Sequence, residues 1–506
     1  MNRFADLLRE SLRKILMRVL ILTEKNSAQK TSVREESVMK RDIHIPPSIV
    51  AVLATLSLYG LLILEVGNSW PLILSLGIFV LVVLGLFVFY LKHDFPKLIA
   101  DDEAMMLLGT IIILFAAIIG ALQRWPVSFY LTPLPAASIL ATLLLHPRLA
   151  LVVTMVLSII NAMVHQFAFD CFMLSFLAGS TGAAAAVYIR SHKDFIRTGT
   201  LIALAQFLAN AILALFHQGD ARGFWWESLW SVINGFSSAI LALGLLPFLE
   251  SFFLRLSPMK LLELADFNQP MLKRLMVEAP GTYHHSLMMA TIAEAAAGAI
   301  GANPFLTRVG AYYHDIGKLV KPEYFIENQG SPGNNPHGNL APALSSLIVI
   351  SHVKEGVALA RAAKLPQEII NFIPMHHGTS RVEYFYHQAR EDAQEELIKH
   401  DLDANPHEAE VGEQNFRYPG PRPVTKETAI LMLADSVEAA ARTLEEPNHQ
   451  RLKDLVRRLI QGKMDDGQLA DAPLTLADLS KIEEAFTNTL TSIYHARIEY
   501  PQQSNQ

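Results

Sequence analysis

Tyr312-Tyr313-His314-Asp315-Ile316-Gly317-Lys318 is the stretch on which the reading of this chain turns. Neighbouring residues in a helix diverge by about 100° around its axis, so an adjacent His and Asp can both point into one pocket. Lys318 follows His314 by four residues, which places it one turn further along the same helical face. Imidazole, carboxylate and ammonium together suit a metal ion beside a phosphate. A lone His-Asp pair carries little weight; the surrounding residues carry more. Tyr283-His284-His285-Ser286 lies upstream and His352 downstream, followed by the doublet His376-His377 and by Asp435 in Leu433-Ala434-Asp435-Ser436. Of 18 histidines, eight fall between residues 284 and 387, a density that calls for a common purpose.

Around this cluster the chain is unevenly composed. Its 506 residues have room for more than one domain. Hydrophobic residues make up 51% and charged ones 18%, an apolar balance for a water-soluble protein. The excess is local, confined to apolar runs between about residues 47 and 250. The lone Cys171 excludes an internal disulfide, and the net charge of −6 gives no footprint for a nucleic-acid polymer.

The chain opens with a basic amphipathic pattern over residues 1–22. Phe4, Leu7, Leu8, Leu12, Ile15, Leu16 and Val19 form a stripe, with Arg3, Arg9, Arg13, Lys14 and Arg18 off it. It suits an anionic membrane surface or an ordinary surface helix, and Arg18 makes it a poor signal peptide. A polar linker follows, closing an N-terminal segment of residues 1–46 that is expected in the cytoplasm. A transmembrane region of seven or eight helices is then expected over 47–250. Its candidate spans lie near 47–66, 71–92, 105–122, 130–145, 149–166, 172–189, 198–217 and 230–250. Several reach the roughly 20 apolar residues a bilayer needs, and the fourth is short. Lys92, Lys97, Arg148, Arg190, Lys193, Arg197, Arg255 and Lys260 fall at alternate ends of these spans, whereas Arg124 and Arg222 are isolated on the other side. By the positive-inside rule an even number of spans with both termini in the cytoplasm is expected. His165 is the main ionisable residue within the spans, and Asn161, Asn210, Gly179 and Gly182 are assigned to helix packing. A Pro-punctuated amphipathic connector is expected over 251–280.

Residues 281–500 read as an all-helical globule. Helical patterns occupy 284–300, 304–320, 340–363, 366–375, 379–399, 424–444, 447–463 and 475–497. No useful strand alternation appears, so the fold class is all-α: a polytopic helical bundle followed by a helical cytoplasmic domain. The acidic stretch 400–416 is expected as a mobile loop and the tail 502–506 as disordered. His337, His387, His400 and His407 are read as ordinary surface or core histidines.

Mixed His and Asp donors suit iron, manganese or zinc better than calcium or magnesium. His285, His314, Asp315, His352, His376, His377 and Asp435 are too many for one catalytic ion. They fit two ions about 3.5–4 Å apart, with Asp315 as the bridging carboxylate. A water held between such ions becomes a nucleophile at neutral pH, and Lys318 would add a positive donor to a phosphate oxygen. Either member of the His284-His285 pair can serve; His285 is favoured because it precedes Ser286 where the regular pattern begins, with His284 behind it.

This set resembles the HD phosphohydrolase superfamily, with its His…His-Asp…Asp metal site. His352 and the His376-His377 pair resemble the binuclear members. The segments Ala279-Pro280-Gly281-Thr282-Tyr283-His284-His285-Ser286, Ile350-Ser351-His352-Val353-Lys354-Glu355-Gly356 and Phe416-Arg417-Tyr418-Pro419-Gly420-Pro421 are similar to those of the 7TM-HD proteins. The resemblance spans about residues 71–497. It implies a multi-pass protein of the bacterial inner membrane, in contact with the lipid bilayer, whose cytoplasmic HD domain uses two divalent ions, manganese or iron, as in PgpH-type phosphodiesterases. The implied reaction converts cyclic di-AMP to linear pApA; cyclic di-GMP, mononucleotides, or a nucleotide-sensing receptor that does not cleave are the alternatives. Gly378-Thr379-Ser380-Arg381-Val382-Glu383 stands where the cyclic di-GMP enzymes have a Gly-Tyr-Pro element, which favours cyclic di-AMP. Arg417, Tyr418 and Arg422 are candidate nucleotide contacts or structural loop residues. A homodimer is allowed for. Family members commonly carry a large outer domain before seven spans, whereas Glu65-Val66-Gly67-Asn68-Ser69-Trp70 alone separates the first two candidates here, which leaves no such seat for an outside ligand.

Overall fold

The computed structural model describes residues 70–125, 128–217, 221–253, 255–329, 335–400 and 411–495. The amphipathic segment 1–22, the linker, the first candidate span, most of the 400–416 stretch and the tail lie outside them. Within the described residues the chain is helical, with one isolated bridge between Arg381 and Arg417.

Among the described residues, seven helices of 11 residues or more form the first half: α1 (Trp70–Asp94), α2 (Asp102–Gln123), α3 (Leu134–Leu144), α4 (Pro147–Val164), α5 (Phe169–Ala186), α6 (His192–Phe216) and α7 (Ala221–Phe253). All but α3 are long and apolar enough to cross a membrane. The short fourth candidate is α3, whose 11 residues are all buried. At 1.5 Å per residue it reaches about 17 Å, so it forms the centre of the bundle with the longer helices around it. Asp101 caps α2 by accepting from the Ala104 amide, and it also pairs with Arg255 just beyond α7. The start of α2 and the end of α7 therefore share one side. Counting alternate helices from there puts the α3–α4 and α5–α6 turns on that side too.

Two devices hold the bundle together. Buried polar side chains satisfy one another across helices: Ser138 with Thr154 at 2.6 Å, Asn161 with Ser175 at 2.8 Å, and Asn210 with Tyr130 and Ser228, each at 2.9 Å. Glycines bring backbones close. A Cβ on Gly179 would stand 2.4 Å from the Thr154 methyl, and one on Gly235 would stand 2.5 Å from the Gly199 carbonyl oxygen. Without a hydrophobic drive between helices in lipid, such contacts are the available glue.

The connector resolves into α8 (Pro258–Leu264) and α9 (Pro270–Glu278). The second half then packs α10 (Pro280–Ala299), α11 (Pro304–Tyr313), α12 (Pro342–Ala362), α13 (Glu383–His400), α14 (Lys426–Ala441), α15 (His449–Asp465) and α16 (Leu476–His495) around one apolar core. Starts follow sequence rules. Pro occupies the first turn of α10, α11 and α12, while Asn303, Thr425 and Asn448 cap α11, α14 and α15. By composition α12 is apolar enough to span a membrane, yet it carries His352 into the second-half core and belongs there.

Three expected boundaries shift. The 304–320 helix stops at Tyr313 and continues as a 3-10 turn, Ile316–Val320. The 366–375 helix breaks into Gln367–Ile370 and Phe372–Met375. Part of the expected loop, Glu413–Phe416, is a 3-10 turn.

The two glycines of α7 offer a test of bundle packing. Gly244 has open space where Gly235 meets backbone. Gly235→Ala should lower the melting temperature of the full chain in detergent by about 5 °C or more, from roughly 2 kcal/mol of overpacking, and Gly244→Ala should leave it within about 1 °C.

Candidate metal centre

His314 and Asp315 are not inside a helix but at the break after α11, and Lys318 lies on the following 3-10 turn, three residues from Asp315 and not along an α-helical face with His314. The reason is close packing. A Cβ on Gly317 would stand 1.8 Å from the His352 carbonyl oxygen on α12, so this turn is pressed flat onto that helix's backbone. Glycine lets Asp315 and His352 meet.

Seven side chains converge. Asp315, only 1% exposed, lies at their centre. Its Oδ2 faces His314 Nε2 at 3.1 Å and His285 Nε2 at 3.9 Å, while its Oδ1 faces His352 Nε2 at 3.4 Å and His376 Nε2 at 3.6 Å. Asp435 completes both sides, with Oδ1 3.1 Å from His285 Nε2 and Oδ2 3.8 Å from His377 Nδ1. The donors fall into overlapping groups, His285-His314-Asp435, His314-Asp315-His376 and His352-His376-His377, each with donor atoms within 4.8 Å of one another.

Neighbouring groups fix which histidine nitrogen is free. Nδ1 of His314, His352 and His376 each lies against the carbonyl three residues earlier: Ala311 at 2.8 Å, Val349 at 2.6 Å and Ile373 at 2.6 Å. A carbonyl only accepts, so each Nδ1 carries the proton and each Nε2 presents a lone pair to the centre. His285 Nδ1 likewise donates to Glu438 on α14. Two of the central atoms, His314 Nε2 and Asp315 Oδ1, are buried without a hydrogen-bond partner. Buried donors and acceptors left bare are costly unless something binds them, so the donor set fits divalent cations.

The electrostatics agree. Burial and neighbouring imidazoles hold His352, His376 and His377 below the ordinary histidine range, His376 near 3, so they are neutral at pH 7, the form in which imidazole binds a cation. Burial alone would raise Asp315, but His314 and Lys318 hold it well below the usual carboxylate value. For His285, burial pushes down, and hydrogen bonds to Asp435 and Glu438 outweigh it and lift the group to about 10.

The other expected residues separate. Lys318 is locked between Asp315 Oδ2 at 2.8 Å and Glu327 at 2.7 Å, lining the cavity as a positive neighbour of the central carboxylate. Tyr418 lies at the site, its ring stacked on His377 with centroids 4.1 Å apart. Arg417 and Arg422 do not join them. Arg417 is held by Glu413 and Asp466, and Arg422 by Asp471 and the Gly467 carbonyl, because acidic partners on the neighbouring loop take up both guanidinium groups. His284 does not sit behind His285: it is exposed beside Tyr283, since its neighbour takes the inward position on α10. His337 bonds the Tyr324 carbonyl and His387 is exposed next to Glu383.

Residues missed in the sequence surround the donors. Glu438 follows Asp435 by three, a spacing that places both on one face of α14. Arg442, one turn on, pairs with Glu438 and borders the cavity. Glu327 receives Thr282 and Lys318, and a Cβ on Gly281 would collide with its carbonyl at 1.8 Å. This explains Pro280-Gly281-Thr282 physically. The open cavity over the centre measures about 340 Å³ and is bordered by Lys318, Phe325, His377, Tyr418 and Arg442.

Comparison with known proteins supplies an independent reading. Residues 70–257 match the family described as 7TM receptor with intracellular HD hydrolase, and residues 282–440 match the HD domain, which carries divalent-metal binding with it. The chain is 36% identical over 439 residues to the cyclic-di-AMP phosphodiesterase PgpH of Bacillus subtilis (strain 168), covering 83% of this chain and 60% of that protein. It is 32% identical over 441 residues to the protein of the same name from Listeria monocytogenes serotype 1/2a (strain 10403S), covering 84% and 58%. The chain thus spans about three fifths of the length of these relatives. A crystal structure of the L. monocytogenes phosphodiesterase PgpH HD domain in complex with cyclic-di-AMP is 42% identical, covering 46% of this chain and 100% of that one, with a TM-score of 0.40.

Two measurements test the centre. Glu438→Gln should weaken metal retention by about 10–100-fold, as loss of a histidine-orienting carboxylate does, whereas Arg422→Ala should leave metal content unchanged. With His285 raised to about 10, the metal-free centre holds a proton on that ring at neutral pH. Cation uptake at pH 7–8 should therefore release about one proton, seen with a pH dye in weak buffer, and affinity should rise with pH across that range.

Proposed function

We propose, from the premise that the chain belongs to the 7TM-HD family of multi-pass membrane proteins with an HD hydrolase domain, that it is a membrane-bound phosphodiesterase converting cyclic di-AMP to pApA. The observation that carries the reading is the divided Asp315 carboxylate, one oxygen toward His285 and His314, the other toward His352 and His376. That division suits two ions and not one. The names of the two PgpH relatives support the substrate.

Two divalent ions, manganese or iron, would supply Lewis acidity for the phosphate and for an attacking water. The protein's own part is to place and charge-balance the site. Carbonyl locks at Ala311, Val349 and Ile373 hold three imidazoles with Nε2 inward before any ligand arrives. The Lys318 ammonium offsets the charge of Asp315 and Glu327 at the cavity edge, where it also faces an incoming phosphate. Tyr418, stacked on His377 beside the opening, and Phe325 offer apolar surface for a base. The side of the bundle next to this half carries Lys92, Lys97, Arg148, Arg190, Lys193 and Arg197, which supports a cytoplasmic location at the inner membrane.

The purified full chain with Mn(II) should linearise cyclic di-AMP in preference to cyclic di-GMP and mononucleotides, as identified by product mass. Asp315→Ala should reduce the rate by at least about 10³-fold while the protein still inserts in the membrane. Comparable turnover by that variant would overturn the proposal.

A further inference from the structure

Away from the metal centre, the α5–α6 hairpin holds an open cavity of about 320 Å³ near its turn. Ala184, Ala185 and Tyr188 border it from one arm, and Arg197, Thr198 and Leu201 from the other. Beside it the hairpin carries three exposed cations, Arg190, Lys193 and Arg197, with no ion pair to any of them among the described residues. The nearby carboxylate is already engaged. Asp194 Oδ2 accepts from the Arg190 amide at 2.9 Å, the Ser191 amide at 2.7 Å and the Ser191 hydroxyl at 2.8 Å, closing the turn.

Away from the cations, α6 turns an apolar stripe outward: Leu201, Leu204, Leu208 and Ile212 are all exposed. Their spacing of three or four residues keeps them on one helical face running from the cavity toward the far side of the bundle. Exposed Tyr188 stands at the turn, where an amphipathic ring suits the bilayer interface. By the alternation of helices from the Arg255–Asp101 pair, this turn lies on the same side as the catalytic half.

We propose that the α5–α6 cavity is a binding site for an anionic phospholipid of that leaflet. Its phosphate sits between Arg190, Lys193 and Arg197, and an acyl chain lies along Leu201, Leu204 and Leu208. Charge complementarity selects an anion, since Arg197 borders the opening, exposed Arg190 and Lys193 lie on the same turn, and the one acid lining it, Asp194, serves the turn. The exposed leucines select a lipid over a free phosphate, because a soluble anion would gain nothing from them. The site is independent of the metal centre and of the reaction assigned to it.

Native mass spectrometry of the delipidated full chain, titrated with phosphatidylglycerol or phosphatidylcholine of identical acyl chains, tests this. The wild type should retain phosphatidylglycerol at least about tenfold better. Each of Arg190→Gln, Lys193→Gln and Arg197→Gln should cost roughly fivefold in that retention, and the triple variant should reduce it to the phosphatidylcholine level. Ala184→Trp, which fills the groove and leaves every charge, should weaken both lipids. Millimolar inorganic phosphate should not displace the lipid. Equal retention of the two lipids by the wild type, an unaltered preference in the triple variant, or displacement by phosphate would each overturn the proposal. All four substituted positions are exposed, so an unchanged melting temperature separates loss of binding from loss of fold.

Discussion

One buried carboxylate sets the terms for the second half of this protein. Asp315 is out of water, one of its oxygens has no hydrogen-bond partner, and four imidazole nitrogens surround it within 4 Å. Removing a charged carboxylate from solvent costs several kcal/mol unless cations repay it. Lys318 supplies one positive charge and the His285 ring a second. The bare lone pairs of the remaining imidazoles call for more. A cluster of neutral histidines around a carboxylate makes physical sense as a cradle for divalent cations, and the carbonyl locks behind the rings show that it is arranged in advance.

The surrounding fold can be understood as what this cradle requires. Its donors come from α10, the break after α11, α12, the turn before α13, and α14. Bringing five segments to one point demands close backbone approach, which Gly317 allows against α12 and Gly281 allows against the Glu327 carbonyl. The 33-residue α7 is long enough, at about 50 Å, to cross a bilayer and continue toward the second half. Arg255, directly after it, ties that exit back to the start of α2. That pair fixes where the chain leaves the bundle for the second half.

Much of this was legible in the residues. Apolar runs marked the helices of the bundle because lipid imposes a length and a composition. Proline and capping residues marked most helix starts because their effects are local. The convergence of the candidate donors was legible because seven His and Asp residues of the right chemistry recur where chance would scatter them, and Tyr418, which the fold brings beside them, could be named from its segment. Glu438 was also within reach, one helical turn from Asp435. The sequence left Arg417 and Arg422 open between nucleotide contacts and loop residues because a guanidinium near a site looks the same whether its partner is a phosphate or the carboxylates of Asp466 and Asp471, which lie 49 residues further along.

What the sequence determined by itself was therefore the inventory: an apolar helical half, a helical half rich in His and Asp, and which of those residues could share one site. Only the tertiary structure decided their geometry. It ended α11 at Tyr313, before His314, placed the short α3 at the centre of the bundle, turned His284 outward and His285 inward, and divided the oxygens of Asp315 between two groups of imidazoles. Composition and periodicity are properties of neighbours along the chain. Ligand geometry depends on segments up to 150 residues apart, as for His285 and Asp435, and it exists only once packing has fixed every one of them.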